Sequence, residues 1–331
     1  MLDVFRRRNH WLPVTTLLIG LAFTYVGSLV STWLALGVAC VGLLLFYLEL
    51  MTQWSFRAPS RRKPVLEEPH WNSQLRVIKG VEIQSYFWRG SRDKPTLWMA
   101  HGWTASSQRM VGRLASFMDD GWNVVMFDLP NHGGSGKLSK WTAEQSCTLV
   151  IGAANALSTE EPWLFDRTVF FYGHSMGGFL GLRLSKRRDE LDFGNRWGGW
   201  IFESPMTGYT EIFDETCNLL RVPPFLRPAL LSKTLRHVYA INGEPRLHRL
   251  SEADVPDWGL PLEPVLVVQA DPDERLGPVH HERFADAMAK AGRASDLTLV
   301  KLDTLRHSGA YAHEEREQIV SDWLKAHSSS D

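Results

Sequence analysis

The sequence predicts an α/β domain with a mainly parallel sheet flanked by helices, carried behind an N-terminal transmembrane helical hairpin. Three observations predict it. From Leu12 to Leu48 no side chain is charged. After residue 70, short continuous apolar runs alternate with helix-like stretches. A Gly-x-Ser-x-Gly turn stands between one such run and one such stretch. The bulk composition is that of a chain able to bury a core: 331 residues, 44% hydrophobic and 22% charged, a length that suits one large domain with an appendage. Lys and Arg (36) balance Asp and Glu (37). With no basic patch interleaved with aromatics after residue 63, nothing points to a nucleic-acid partner.

Residues 1–54 read as the membrane anchor. As one straight helix the uncharged run would measure about 55 Å against about 30 Å of hydrocarbon, so two spans fit better than one. They are expected at about residues 11–30 and 33–50, with Ser31-Thr32 near a tight turn. Arg6, Arg7 and Arg8 precede the first span, and Arg57, Arg61, Arg62 and Lys63 follow the second. Positive charge favours the cytoplasmic side, and an even number of spans satisfies both clusters, so the globular part is expected in the cytoplasm. Trp11, Trp33, Tyr47 and Trp54 fall near the span ends, where amphipathic rings favour the interface. A cleaved leader would need an apolar region of only about 7 to 15 residues. A lipoprotein start at Gly37-Val38-Ala39-Cys40 would not need the eight apolar residues after Cys40.

Residues 55–70, rich in Arg, Pro and Glu, read as a linker to a domain at 71–331. Gln74–Lys79 and Val81–Trp88 suit an antiparallel strand pair around Gly80. Thr96–Ala100, Trp122–Phe127, Thr168–Tyr172, Gly199–Phe202, Val265–Gln269 and Leu297–Leu302 suit strands buried on both faces of a parallel sheet. Helices are expected at Ser107–Asp119, Ala143–Leu157, Met176–Arg187, His281–Ala291 and Glu314–Ala326. Residues 204–262 hold no clear buried strand but carry Pro223-Pro224, Pro228 and Leu230-Leu231, and are expected to form a small, partly helical cap. Cys40, Cys147 and Cys217 have no metal-type spacing and read as free thiols.

Gly173-His174-Ser175-Met176-Gly177-Gly178 carries the chemistry. A sharp strand-to-helix turn strains the serine backbone and tolerates only small neighbours, which the glycines at 173 and 177 supply. It also leaves a helix N-terminus beside the hydroxyl, where partial positive charge favours a developing oxyanion.

With His101-Gly102-Trp103 after a strand and Asp128-Leu129-Pro130-Asn131-His132-Gly133-Gly134-Ser135 after another, the stretch from about Ser73 to Ala326 resembles the α/β-hydrolase family. Within it the chain is similar to the esterase, lipase and serine-peptidase-like group. The resemblance implies a triad in chain order serine, acid, histidine, with Ser175 as nucleophile and no metal or organic cofactor. His307, in the loop between the last strand and the C-terminal helix, is the expected base. His132 and His174 read as makers of structural hydrogen bonds, and His280, His281 and His313 fall at helix starts. Gln269-Ala270-Asp271-Pro272-Asp273 offers two carboxylates after a strand. The family's usual spacing favours Asp273 as the acid and leaves Asp271 as a turn former, but Ala replaces the usual Gly and Gly277 is inserted, so Asp271 stays open, with Glu203 a distant third. The resemblance implies backbone N–H groups of Met176 and Trp103 as the oxyanion hole, with Asp128 and His132 bracing the adjacent loop. The expected substrate is a small-molecule or lipid-like carboxylic ester met at the lipid bilayer. The alternatives are a serine peptidase or amidase with the same triad, and a non-catalytic membrane-tethered binding module.

Overall fold

The computed structural model describes residues 11–57 and 64–328. The basic residues Arg6, Arg7, Arg8, Arg61, Arg62 and Lys63, and with them the middle of the expected linker, lie outside the described residues. The chain divides into two compact units.

The first unit comprises residues 11–57, Ser139–Thr142 and Tyr209–Glu252, and is helical. Helix α1 (Leu12–Ser28) has 17 residues and α2 (Thr32–Ser55) has 24; α2 is long and apolar enough to cross a membrane. Ser31 caps α2, its hydroxyl accepting from the Trp33 N–H. The two helices approach closely at facing glycines: a Cβ on Gly20 would stand 3.2 Å from the Gly42 Cα, and one on Gly42 3.1 Å from the Gly20 Cα. Small residues at a crossing are what lets apolar helices pack backbone to backbone. Helix α2 continues past residue 50 because its one acidic group does not break it. Glu49 is 2% exposed, and Lys233 Nζ lies 2.5 Å from its carboxylate. Lys233 belongs to α7 (Arg227–Asn242), which with α6 (Thr210–Leu219) occupies the strandless interval; Leu48 and Met51 of α2 pack with Cys217, Val222 and Leu230.

The second unit comprises residues 64–138, 143–208 and 253–328. Its eight strands are β1 (Asn72–Ile78), β2 (Val81–Trp88), β3 (Thr96–Ala100), β4 (Asn123–Phe127), β5 (Val169–His174), β6 (Trp197–Glu203), β7 (Val265–Ala270) and β8 (Leu297–Leu302). They form one sheet in the order β1-β2-β4-β3-β5-β6-β7-β8, antiparallel at β1/β2 and β2/β4 and parallel elsewhere. The strands β3 to β7 are apolar on both sides because both faces are covered. On one face Leu97, Met99, Phe170, Tyr172, Ile201, Leu266 and Val268 share a core with Trp323 and Leu324. On the other, Trp98 meets Phe127 and Phe171 with ring centroids 5.3 and 5.9 Å apart. The covering helices are α3 (Ala115–Asp119), α4 (Ala143–Glu160), α5 (Met176–Lys186), α8 (Pro278–Lys290) and α9 (Glu314–Ser328).

The expected helix Ser107–Asp119 is broken up: two single 3-10 turns, Ser107–Arg109 and Val111–Arg113, precede the short α3. Tertiary contacts override the local preference here. The Ser107 N–H donates to Asp128 Oδ1 at 2.7 Å. Gly112 lies so close to Tyr311 that a Cβ there would come within 2.4 Å of its ring.

Candidate active site

All parallel strands point their C-terminal ends one way, and the turn after β5 sits among them. Ser175 there has φ 53 and ψ −115, a left-handed backbone rare for a residue with a side chain. Its neighbours explain how the turn closes. A Cβ on Gly173 would stand 2.5 Å from the Gly177 carbonyl oxygen, and one on Gly177 2.1 Å from the Ala100 oxygen. The turn is held from β6, whose Glu203 carbonyl accepts the Ser175 N–H at 3.0 Å.

Three side chains predicted separately meet here. His307 Nε2 lies 3.0 Å from Ser175 Oγ, and His307 Nδ1 lies 2.9 Å from Asp273 Oδ2. An imidazole with its Nδ1 proton on a carboxylate presents Nε2 as an acceptor to the hydroxyl, the arrangement needed to draw a proton from serine. Asp273 is held by its own loop: Oδ1 accepts the Arg275 and Leu276 N–H groups at 2.9 and 3.0 Å, and the Gln269 side-chain amide donates to Oδ2. Burial acts to raise this carboxyl, but the His307 hydrogen bond and these backbone donors outweigh it and hold it at about 2. Asp271 is placed elsewhere, exposed, 3.7 Å from Lys301 Nζ.

Glu203, at the end of the neighbouring strand, is committed differently. Arg113 grips it with Nε and Nη2 at 2.8 and 2.6 Å, the Tyr172 hydroxyl donates to it, and Arg316 Nη1 lies 3.6 Å away. Burial alone would raise this carboxyl, but the Arg113 charge dominates and keeps it ionised well below the usual range. The Arg113 and Arg316 pairing gave no signal in the sequence, since each arginine lies in a stretch that reads as an ordinary helix with solvated charges.

His174 lies between the loop of His307 and the Glu203 cluster. Its Nε2–H donates to the His307 carbonyl at 3.0 Å and stands 3.9 Å from Glu203. Burial pushes its pKa down to about 4, so it is neutral and fastens the loop that carries His307.

The loop after β3 runs against the nucleophile: a Cβ on Gly102 would stand 3.2 Å from the Ser175 Cβ. His101 donates from Nδ1 to the Gly102 carbonyl and accepts the Leu129 N–H at Nε2. The His132 and Trp103 rings meet in a T-shaped contact with centroids 5.3 Å apart, and His132 Nε2 accepts the Thr104 N–H. Burial, with the nearby His101, lowers the His132 pKa to about 3. Asp128 accepts from the Ser107 N–H, the Gly134 N–H and the Tyr86 hydroxyl. Met176 opens α5, so its amide is among those without an intrahelical acceptor. His280 and His313 lie apart from this chain of bonds: His280 accepts from the Thr207 N–H at its Nδ1, and His313 from the Arg316 N–H. The three cysteines are free, and burial raises the Cys147 thiol to about 12. Among the described residues no group of His, Cys, Asp and Glu could hold a metal ion.

Residues 91–311, more than half of the chain, match the family model described as serine aminopeptidase, S33. No curated protein matches the sequence. Among solved structures, an esterase of Pyrococcus furiosus is similar with a TM-score of 0.57 at 16% identity, covering 82% of this chain and 100% of its own. A thermophilic esterase from Thermogutta terrifontis is similar with a TM-score of 0.51 at 18% identity, covering 78% of this chain and 100% of its own. An epoxide hydrolase from Vigna radiata is similar with a TM-score of 0.52 at 13% identity, covering 79% and 100%. At such identities the likeness establishes the fold.

Proposed function

The chain belongs to the serine aminopeptidase-type family of α/β-hydrolases, and from that premise we propose that it is a membrane-anchored serine hydrolase cleaving a carboxylic ester through an acyl-enzyme. The observation that carries this reading is the bond chain from Asp273 through His307 to Ser175, at 2.9 and 3.0 Å. Ser175 attacks the carbonyl carbon as His307 takes its proton. The imidazolium, steadied by Asp273, gives that proton to the leaving alcohol. Water activated by the same imidazole then releases the acid and restores Ser175. The amides of Met176 and Trp103 are assigned to the oxyanion, where one such donor is worth about 2.7 to 4 kcal/mol.

The family description favours a second reading, cleavage of an amide at a peptide N-terminus. Such a substrate brings an ammonium group that needs a carboxylate. Asp273, Glu203 and Asp128 are each committed, to His307, to Arg113 and to backbone and tyrosine donors respectively. None of these three is spare, which supports the ester as the preferred substrate class. Fluorophosphonate labelling of the wild type beside Ser175→Ala and His307→Ala tests the nucleophile, and labelling that survives Ser175→Ala removes it. Comparing p-nitrophenyl acyl esters with aminoacyl p-nitroanilides tests the substrate class; faster nitroanilide turnover reverses the preference.

The anchor reading takes α1 and α2 as a two-span hairpin with both chain ends in the cytoplasm. Its supports are the length and apolarity of α2, the close α1–α2 packing and the basic residues flanking both spans. Reporter fusions at the two ends should both report cytoplasm; a C-terminal fusion on the far side overturns the hairpin.

A further inference from the structure

The end of α6 and the turn to α7 present large apolar side chains that nothing among the described residues covers. Leu219 is 82% exposed and Phe225 is 80% exposed. Single exposed apolar residues need no explanation, but two beside a membrane helix do. Val222 and Leu230, on either side of Phe225, are buried against Leu48 and Met51 of α2.

The direction of α7 sets the depth of this turn. Leu230 packs at the level of Leu48 and Met51; one turn on, Lys233 meets Glu49 at 2.5 Å; one further, His237 Nε2 lies 3.1 Å from Gln53 Nε2 and its ring stacks on Phe56. From Lys233 with Glu49 to His237 with Gln53 and Phe56 the numbers rise together on both helices, so α7 runs alongside α2 in the same direction. Going backwards from Leu230 therefore leads back along α2, toward its middle. The three residues back to Arg227 at the start of α7, and the 3-10 turn Pro224–Leu226 ahead of it, amount to about 8 Å of rise to Phe225. That brings Phe225 abreast of the run around Leu44 and Leu45, which are themselves 40% and 49% exposed. A hydrocarbon layer of about 30 Å takes some 20 helical residues and, starting near Trp33, includes that level.

We propose that the α6–α7 turn is a second membrane contact, with Leu219 and Phe225 immersed in the acyl region of the leaflet at the C-terminal end of α2. The partner is the phospholipid bilayer itself. Continuity with α2 fixes this choice: a turn packed on a spanning helix at that level has lipid beside it. Arg221 is exposed, and its long stem lets the guanidinium reach headgroup phosphates while the apolar tip lies deeper; Arg227 instead donates to Asn218 Oδ1 at 2.6 Å and ties the turn to α6. The proposal rests on the reading of α1 and α2 as membrane-spanning, so its test must separate the two.

The full chain is reconstituted in vesicles of phosphatidylcholine and phosphatidylglycerol, with photoreactive benzoylphenylalanine in place of Leu219, Phe225, Leu44 or Leu262, one site at a time. Leu44 reports the span; Leu262, 66% exposed in the other unit, reports capture by exposure alone. After irradiation, mass spectrometry should find phospholipid adducts at Leu219 and Phe225 within about threefold of the yield at Leu44 and about tenfold above Leu262. Adducts at Leu44 without adducts at Leu219 and Phe225 overturn the second contact and leave the anchor standing. No adduct at Leu44 overturns the anchor reading and this proposal with it. Equal capture at Leu262 shows that exposure, not immersion, is being read, and overturns the proposal as well.

Discussion

Among the buried histidines that stand beside a carboxylate, His307 and His237 make a pair in which only one is placed to do chemistry. In the sheet unit, His307 gives Nδ1 to Asp273 and turns Nε2 to the Ser175 hydroxyl. In the helical unit, His237 gives Nδ1 to the Lys233 carbonyl at 3.0 Å, and Nε2 meets Gln53 at 3.1 Å and Glu49 at 3.4 Å. Both nitrogens of His237 are spent on structure. The carboxylates differ in the same sense. Asp273 is balanced by backbone and amide donors and has no lysine or arginine partner among the described residues, so its charge is available to an imidazolium. Glu49 is already neutralised by Lys233. A histidine–carboxylate pair is thus not a catalytic sign by itself; what makes one is a nucleophile on the imidazole's second nitrogen and an uncompensated carboxylate on its first.

The largest test of that contrast is Ser175→Ala or His307→Ala, expected to lower kcat on a soluble ester by about 10⁶-fold, with an unchanged circular dichroism spectrum. Asp273→Asn should come next. It keeps the geometry but stabilises the wrong tautomer, and kcat should fall about 10⁴-fold while Asp271→Asn stays within about threefold of wild type. Equal losses in the two would move the triad acid. In the helical unit the sign reverses. Glu49→Ala leaves Lys233 without its buried partner and should cost about 3 kcal/mol in denaturant unfolding in micelles, while kcat on a soluble ester changes less than about twofold. A large loss of kcat there would show that the two regions are not as separate as their chemistry.

The last effect, visible only as a change with pH, concerns His174. Folded, it stays neutral down to about pH 4, whereas the unfolded side chain titrates near 6.5. Between those values the unfolded chain binds the extra proton, so this contribution is complete above 6.5 and is lost as the pH falls toward 4. His132, neutral down to about 3, acts in the same direction. His174→Gln should reduce the slope of unfolding free energy against pH by about one proton over that window, measured by urea denaturation. An unchanged slope would mean that His174 is not held neutral in the fold.

Much of the fold was legible because its signals are local. Buried parallel strands are continuous apolar runs, and six such runs became strands with ends shifted by only a residue or two. The helix read at Ser107–Asp119 failed because its backbone is drawn to Asp128 and packed under Tyr311, partners distant in sequence. At the elbow, Gly173 and Gly177 announce a turn that no side chain could enter, so Ser175 was readable before any geometry. The choice between Asp273 and Asp271 was not, because two carboxylates two residues apart are equivalent until the loop turns one inward.

By itself the sequence determined which residue types stand at strand ends and where the chain is apolar, since periodicity and turn chemistry act between near neighbours. Only the tertiary structure decided pairing: Glu203 with Arg113 and Arg316, Glu49 with Lys233, His174 with the His307 carbonyl. A buried charge or polar group must find a partner, but any partner within reach satisfies that demand, and reach is set by how the elements pack.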